Sequence, residues 1–307
     1  MATSRAQPKT TLGLDWGELA PLRLRARAAA DGAWSGLHRS VRRGAGVEFA
    51  GHRAYVPGDD LRWLDRHALM RHGALMLREF ETETDRTLRL LVDASGSMAF
   101  RGSRGRGAKL AYAAVIGLAL AWIATHEGDR VALDWLGSEK ARPLPGMGGG
   151  EAFERVALAL EHATPEGALT SDEDLARALV PIERNARRGS LVAVMSDLVD
   201  LPESALERLT GLGHRGRTLV VVQVLDPDEL DFPYEGPVRL RALEGDRVVD
   251  TDASAVRAAY LEELERRTKL WHNRLGSRGA RLIVASTADD PSEVVRRILV
   301  AFRGGAR

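Results

Sequence analysis

The sequence predicts an α/β protein with a doubly wound, mainly parallel β-sheet and an N-terminal extension of mixed helix and strand. From Thr87 onward, short leucine- and valine-rich runs alternate with longer segments whose apolar residues recur at helical spacing. This alternation is typical of parallel strands joined by crossover helices. The runs are apolar throughout, as in strands buried on both faces. The first part of the chain lacks this pattern, so we predict an N-terminal region over residues 1–85 and a sheet domain over residues 86–307.

The individual elements follow from the same patterns. Five apolar runs are predicted as strands of the sheet, namely 87–93, 130–135, 190–197, 218–225 and 280–285. Six segments with helical periodicity are predicted as helices, namely 108–126, 151–161, 174–187, 203–212, 254–275 and 292–303. Two stretches rich in glycine or proline, 143–150 and 226–250, are predicted as surface excursions.

The N-terminal region contains an arginine-rich helical stretch at residues 22–30, followed by a segment in which glycine, proline and aromatic residues stand close together. Aromatic rings this close in sequence need shared apolar cover. We therefore predict that Phe49, Tyr55 and Trp63 are at least partly buried against the rest of the chain, and that the two regions fold as one unit.

Composition excludes several classes of protein. The 44 Lys and Arg nearly balance the 43 Asp and Glu, so no overall charge draws the chain to nucleic acid. The chain has no cysteine, which removes disulfides and thiolate zinc sites. Its N-terminus lacks an apolar signal stretch, and its longest uncharged segment, 110–125, is shorter than the roughly 20 apolar residues of a membrane span. We expect a cytoplasmic protein with no membrane span.

Oxygen-bearing side chains follow two of the predicted strands. Asp93, Ser95 and Ser97 stand at alternate positions after the first strand, with Gly96 permitting a tight turn. Asp197 ends the third strand in a Ser-Asp pair, and the carboxyl ends of neighbouring parallel strands meet at one edge of the sheet. Carboxylates and hydroxyls are hard ligands that suit Mg²⁺ or Mn²⁺. The sequence therefore predicts a site for one of these ions at this edge.

The combination of D-x-S-x-S with a later Ser-Asp strand end resembles the metal-ion-dependent adhesion site of von Willebrand factor A domains, which have a Rossmann-type fold. Upstream, G-x-G-x-E-F at 44–49, R-x-Y-x-P-G-D-D at 53–60 and E-F-E at 79–81 resemble the bacterial family called domain of unknown function 58. That resemblance runs from about residue 14 to the C-terminus. It implies a chaperone-like protein that works with a MoxR-type AAA+ ATPase.

The resemblance also implies a third ligand from a loop, where the family has a threonine in the phrase G-x-T-D-L-x-x-A-L. In this chain the frame set by residues 174–179 places Glu173 at that position, while Thr170 and Ser171 lie just upstream. All three are candidate ligands. Ser171 also fits the N-cap of the following helix, with its hydroxyl bonded to the backbone of Asp174.

These observations predict a metal-dependent protein-binding module, an adaptor or co-chaperone that engages an acidic residue of a partner protein. The alternative is a Mg²⁺-dependent hydrolase such as a phosphoesterase, because carboxylates and Mg²⁺ also serve phosphoryl chemistry. No catalytic constellation is evident in the sequence, so we expect no enzyme. The segment from Gly102 to Lys109 lacks the contiguous Gly-Lys-Ser/Thr of a phosphate-binding loop, so we expect no ATP binding.

Overall fold

The computed structural model describes most of the sheet domain and parts of the N-terminal region. The described residues are 20–35, 48–54, 75–81, 86–138, 140–169, 171–199, 201–202, 204–245 and 247–304. In the N-terminal region they form helix α1 (Ala20–Ser35) and a small antiparallel sheet of β1 (Glu48–Ala54) and β2 (Met76–Glu81). The side chains of Phe49, Tyr55 and Trp63 lie outside the described residues, and the division of the chain at residue 85 stays a prediction.

The sheet domain alternates strands and helices as the sequence predicts. Its strands are β3 (Thr87–Asp93), β4 (Arg130–Leu136), β5 (Leu144–Met147), β6 (Leu191–Ser196), β7 (Thr218–Leu225), β8 (Pro237–Arg241), β9 (Val248–Asp252) and β10 (Arg281–Ser286). Its helices are α2 (Lys109–His126), α3 (Gly149–Glu161), α4 (Asp172–Asn185), α5 (Ala205–Gly211), α6 (Pro227–Asp231), α7 (Ala253–Gly276) and α8 (Pro291–Gly304). A short 3₁₀ turn, Gly96–Ala99, follows β3.

Six strands form one sheet in the order β10-β7-β6-β3-β4-β5, in which only the edge strand β5 runs antiparallel to its neighbour. The five parallel strands are β3, β4, β6, β7 and β10. Numbered 1 to 5 in that chain order, they lie across the sheet in the order 2-1-3-4-5. In this order the direction of winding reverses between β3 and β6. Ligands of open α/β sheets bind at this reversal, outside the carboxyl ends of the strands. The fold therefore marks the end of β3 and the end of β6 as the place for a site.

Apolar side chains cover both faces of the sheet. Helices α1, α2, α3 and α8 pack on one face, and α4, α5 and α7 pack on the other. Residues Leu22, Ala26 and Ala30 of α1 belong to the same apolar cluster as α2, so this part of the N-terminal region shares the core of the sheet domain.

Helix α2 is apolar on all sides, and the protein encloses it. Among the described residues it alone has the length and composition of a membrane span, and 78% of that window is buried inside the protein. A helix that is apolar all round is buried in the interior of a large domain as readily as in a membrane. The prediction of a helix over 108–126 is confirmed.

The two stretches predicted as surface excursions contain regular secondary structure, which the sequence does not predict because both are rich in proline or glycine. Residues 143–150 include the edge strand β5, which tolerates Pro145 and Gly146 because an edge strand has one unpaired side. Residues 226–250 include helix α6 and most of the hairpin β8–β9, which forms a separate two-stranded antiparallel sheet. Pro227 begins α6 because the first position of a helix needs no N–H.

Candidate metal site

The turn after β3 brings two hydroxyls together beside a carboxylate. Oδ1 of Asp93 accepts a hydrogen bond of 2.9 Å from the N–H of Ser95, which folds the chain back on the strand end. The hydroxyl oxygens of Ser95 and Ser97 lie 3.1 Å apart. Gly137, at φ +73°, approaches so closely that a Cβ there would lie 2.7 Å from the Cβ of Ser95. The neighbouring strand end therefore holds the turn in place.

The end of β6 lies beside this turn. Val92 of β3 is the register partner of Met195 in β6, so Asp93 is level with Ser196. The Ser196 hydroxyl donates a 2.5 Å hydrogen bond to Oδ2 of Asp93. Asp197 follows directly, fully buried, with Oδ1 accepting from the N–H of Val199. The prediction that these two strand ends are neighbours is confirmed.

Negative charge accumulates at this edge of the sheet. Burial of Asp93, together with the charge of the Asp197 carboxylate, raises the pKa of Asp93 to about 6. A buried carboxylate beside a second one is costly to ionise because each destabilises the charge of the other. A cation bound between them would relieve that cost.

A buried lysine supplies part of the compensating charge. Nζ of Lys109, the first residue of α2, lies 2.7 Å from Oδ2 of Asp197 and 2.7 Å from Oε1 of Glu229 in α6. Burial alone would lower the pKa of Lys109, but attraction to Asp197 and then to Glu229 outweighs it and raises that pKa. The side chain of Lys109 is 1% exposed and its ammonium group contacts two carboxylates, so it does not face a substrate phosphate.

The loop that precedes Lys109 packs tightly on α6. A Cβ at Gly102 would lie 2.2 Å from Oδ1 of Asp226 and 2.5 Å from Oδ2 of Asp228. Arg104 donates to Asp228 in the same contact. Asp226 is the N-cap of α6. Glu229 completes the capping box, because its carboxylate accepts a hydrogen bond from the N–H of Asp226. These contacts fix the position from which Glu229 reaches Lys109.

A third carboxylate reaches the turn from the hairpin β8–β9. Oε1 of Glu244, in the loop between the two strands, accepts a 3.1 Å hydrogen bond from the N–H of Ser97. Its partial burial raises the pKa of Glu244, while hydrogen bonds from Ser97 and Ser95 act in the opposite direction. The turn is therefore in contact with the carboxylate of Glu244 as well as with that of Asp93.

The candidates for a third ligand that the sequence offers are Thr170, Ser171 and Glu173. Ser171 is the N-cap of α4, and its hydroxyl accepts from the N–H of Asp174 at 3.1 Å, which confirms the capping alternative. Glu173 is exposed in the first turn of α4. Within the described part of the chain, neither residue hydrogen-bonds to the turn after β3. Thr170 lies outside the described residues.

The donors at the strand ends fit a hard divalent cation. Two ligands at right angles on Mg²⁺, each 2.0–2.1 Å from the ion, are about 2.9 Å apart. The 3.1 Å between the hydroxyls of Ser95 and Ser97 is close to that spacing, and the raised pKa of Asp93 marks charge that a cation would neutralise. No group of three His, Cys, Asp or Glu in the described ranges could hold a metal ion. A metal here would therefore need serine hydroxyls beside Asp93 and Asp197.

Three residues of this arrangement were missed by the sequence analysis: Lys109, Glu229 and Glu244. Lys109 carries a usable signal, since it is one of only four lysines and directly begins an apolar helix. Glu229 carries another, because D-P-D-E fits a capped helix start. Glu244 has no comparable signal in the sequence, since its position depends on how the hairpin folds over the sheet edge.

Comparison with protein families identifies the chain. Residues 51–269 match the model described as "Protein of unknown function DUF58". Because this match spans well over half of the chain, the protein belongs to that family. An uncharacterized protein of Mycobacterium tuberculosis (strain H37Rv) is 28% identical over 227 residues, which cover 74% of this chain and 70% of that relative.

Some solved structures of low sequence identity align with part of this chain. An aerotolerance-related membrane protein from Bacteroides fragilis, with multiple mutations to serines, has 18% identity and a TM-score of 0.43 over 71% of this chain and 98% of that one. A von Willebrand factor type A protein from Catenulispora acidiphila has 12% identity and a TM-score of 0.41 over 73% of this chain and 44% of that one. Likeness at this level says nothing about the function of this chain.

Proposed function

We propose that the protein is a metal-dependent adaptor: Mg²⁺ or Mn²⁺ held at the ends of β3 and β6 captures an acidic residue of a partner protein. The observation that supports it most directly is that Asp93 and the hydroxyls of Ser95 and Ser97 share one turn. Asp197 follows the adjacent strand, at the point where the sheet reverses its winding. This arrangement agrees with the adhesion-site pattern of von Willebrand factor A domains.

The ligand set explains why an acid would be the partner's contribution. Two carboxylates balance the charge of a divalent cation, and the serine hydroxyls add ligands without adding charge. The cation therefore keeps its affinity for a further oxygen anion. By the family resemblance, the partner is a MoxR-type AAA+ ATPase or one of its client proteins, and the complex forms in the cytoplasm.

A hydrolase receives no support from the described residues. The one lysine at the site, Lys109, is buried between Asp197 and Glu229, so its charge is already compensated. Besides a metal ion, phosphoryl transfer uses cationic side chains aimed at the substrate.

The test is titration calorimetry of the full chain with Mn²⁺ and with Mg²⁺. Asp93→Ala should abolish binding, because it removes one of the two carboxylates, and Ser97→Ala should weaken binding less, because it removes only a neutral ligand. Asp250→Ala is a matched control, since its carboxylate is exposed on β9 in an ion pair with Arg239, and it should bind as wild type does. Circular dichroism verifies the fold of each variant.

Partner capture is measured separately. Immobilised protein should retain the MoxR-type ATPase of the same organism when Mg²⁺ is present and release it in a chelator, while Asp93→Ala retains none. Turnover of p-nitrophenyl phosphate should be absent. Unchanged Mn²⁺ affinity in Asp93→Ala would reduce the motif to a strand-terminating turn and overturn the proposal.

A further inference from the structure

The hairpin β8–β9 places an acidic side chain where a partner's acid would have to bind. Glu244 belongs to the loop that joins the two strands, which the hydrogen bond from the N–H of Ala242 to the carbonyl of Arg247 closes at 2.8 Å. From there its carboxylate accepts a hydrogen bond of 3.1 Å from the N–H of Ser97. It thus contacts the same turn that carries the two hydroxyls of the candidate metal site.

The hairpin also covers the turn. A Cβ added at Gly96 would lie 2.7 Å from the carbonyl oxygen of Leu243 and 3.1 Å from Cγ of Glu244, so the loop lies directly on the backbone of the turn. Ser95 is 4% exposed and Ser97 is 8% exposed. An acid from another protein therefore reaches these hydroxyls only after the loop has moved.

We propose that Glu244 is an acidic ligand of the site supplied by the chain itself. It occupies the place of the partner's carboxylate until a partner displaces it. This inference rests on the proposed function, because it assumes that the site captures an acid. The chemical class of the displacing ligand is a carboxylate side chain on a partner protein.

The hairpin is suited to displacement. Among the described residues its two strands pair only with each other and form a sheet separate from the central one. An isolated two-stranded hairpin has little stability of its own in water. Leu240 and Val249 are register partners on the hairpin and are both exposed. Movement of the loop therefore disturbs little of the apolar core, in agreement with the low local stability of elements that open during binding.

The charges at the site explain how a cation would control this contact. The carboxylate of Glu244 lies on the same turn as the carboxylate of Asp93, and like charges placed close together repel each other. A divalent cation reverses that balance by attracting all three carboxylates. Metal binding therefore strengthens the interaction of Glu244 with the turn. The partner's carboxylate must then compete with Glu244, an intramolecular ligand whose effective concentration is high.

The experiment uses acetate as the competing carboxylate and the Mn²⁺-loaded full chain as the target. Water-proton relaxation reports how many water molecules remain on Mn²⁺, so acetate binding is seen as a loss of relaxation. The variant Glu244→Gln removes the charge and keeps the size of the side chain. Glu235→Gln is its matched control, because Glu235 is exposed just before the hairpin. Glu244→Gln should bind acetate about tenfold more tightly than wild type, the factor for a position that is open about one-tenth of the time.

A second readout does not depend on the metal. Hydrogen exchange at the amide of Ser97 should be faster in metal-free Glu244→Gln than in wild type and Glu235→Gln, because that amide donates to the carboxylate. Equal acetate affinity and equal exchange in the three proteins, with Mn²⁺ bound to each, would overturn this inference and leave the metal site intact. Failure of wild type to bind Mn²⁺ would overturn the proposed function, and the inference with it.

Discussion

Lys109 and Asp197 form a buried ion pair across the sheet edge, with Nζ 2.7 Å from Oδ2 and both side chains at most 1% exposed. The pair joins the start of α2 to the end of β6, 88 residues later in the chain. Glu229 accepts from the same ammonium group. The lysine is thus a permanent cation beside the place where we expect an exchangeable one.

The first prediction concerns removal of that permanent cation. Lys109→Met should lower the free energy of unfolding by about 3–5 kcal/mol in the absence of divalent ions, since it leaves a buried charge without its partner. Mg²⁺ should recover more stability in the variant than in wild type, because the metal becomes the only cation near Asp197. Urea unfolding with and without Mg²⁺ measures both effects.

Lys140→Met is the control for that experiment. Lys140 is 81% exposed and pairs with Glu166 at the surface, so its loss should leave unfolding unchanged. An unfolding midpoint for Lys109→Met equal to that of wild type would show that the buried pair contributes nothing.

The second prediction concerns a residue that contacts the turn without being a ligand. Gly137→Ala should destabilise the protein by about 1–3 kcal/mol, the range for a non-glycine residue held at a strained backbone conformation, and should weaken Mn²⁺ binding because its Cβ would press on Ser95. Gly149 has the same φ of +73° but no atom within 4 Å of its ideal Cβ position. Gly149→Ala should therefore show the backbone cost alone, with wild-type Mn²⁺ affinity. Equal metal affinity in both variants would contradict the crowding argument.

The third prediction separates two roles for Ser171. Ser171→Ala should cost about 1 kcal/mol of stability, the usual value of a lost helix N-cap, and should leave Mn²⁺ affinity unchanged. Ser171→Thr keeps a hydroxyl that accepts from the N–H of Asp174 and donates to its carboxylate, and should keep most of the stability. A loss of Mn²⁺ affinity in Ser171→Ala that exceeds its loss of stability would instead make the hydroxyl a ligand.

The sequence was informative where local pattern determines the structure. Continuous apolar runs predict the parallel strands, and the rule that parallel strands end at one edge of a sheet places Asp93 next to Ser196 and Asp197. In the sequence Lys109 stands out only as part of an incomplete phosphate loop, because its partners Asp197 and Glu229 are 88 and 120 residues away. Glu244 could not be found for the same reason: the fold of the hairpin over the turn is a long-range contact that no local periodicity encodes.

The last prediction concerns pH. In the metal-free protein the pKa of Asp93 is about 6, against about 3.9 for aspartate in an unfolded chain. The folded state therefore binds this proton more tightly, and the stability that the proton contributes is present at acid pH and lost as pH rises through about 6. Asp93→Asn stays neutral and keeps an acceptor for the N–H of Ser95. In a chelator at about pH 8 it should be more stable than wild type by up to ~3 kcal/mol, since each pKa unit corresponds to about 1.4 kcal/mol.

That advantage should shrink as the pH is lowered to about 5, where wild-type Asp93 is itself mostly protonated. Saturating Mg²⁺ at the higher pH should reverse the order, because the ion stabilises only the protein that has the carboxylate. Urea unfolding at the two pH values, with chelator and with Mg²⁺, gives all the comparisons. Asp250→Asn provides the control, since its carboxylate is exposed on β9 and should not respond to Mg²⁺. An Asp93→Asn variant less stable than wild type in chelator at both pH values would show that the hydrogen bond from Ser196, rather than unrelieved charge, dominates at this position.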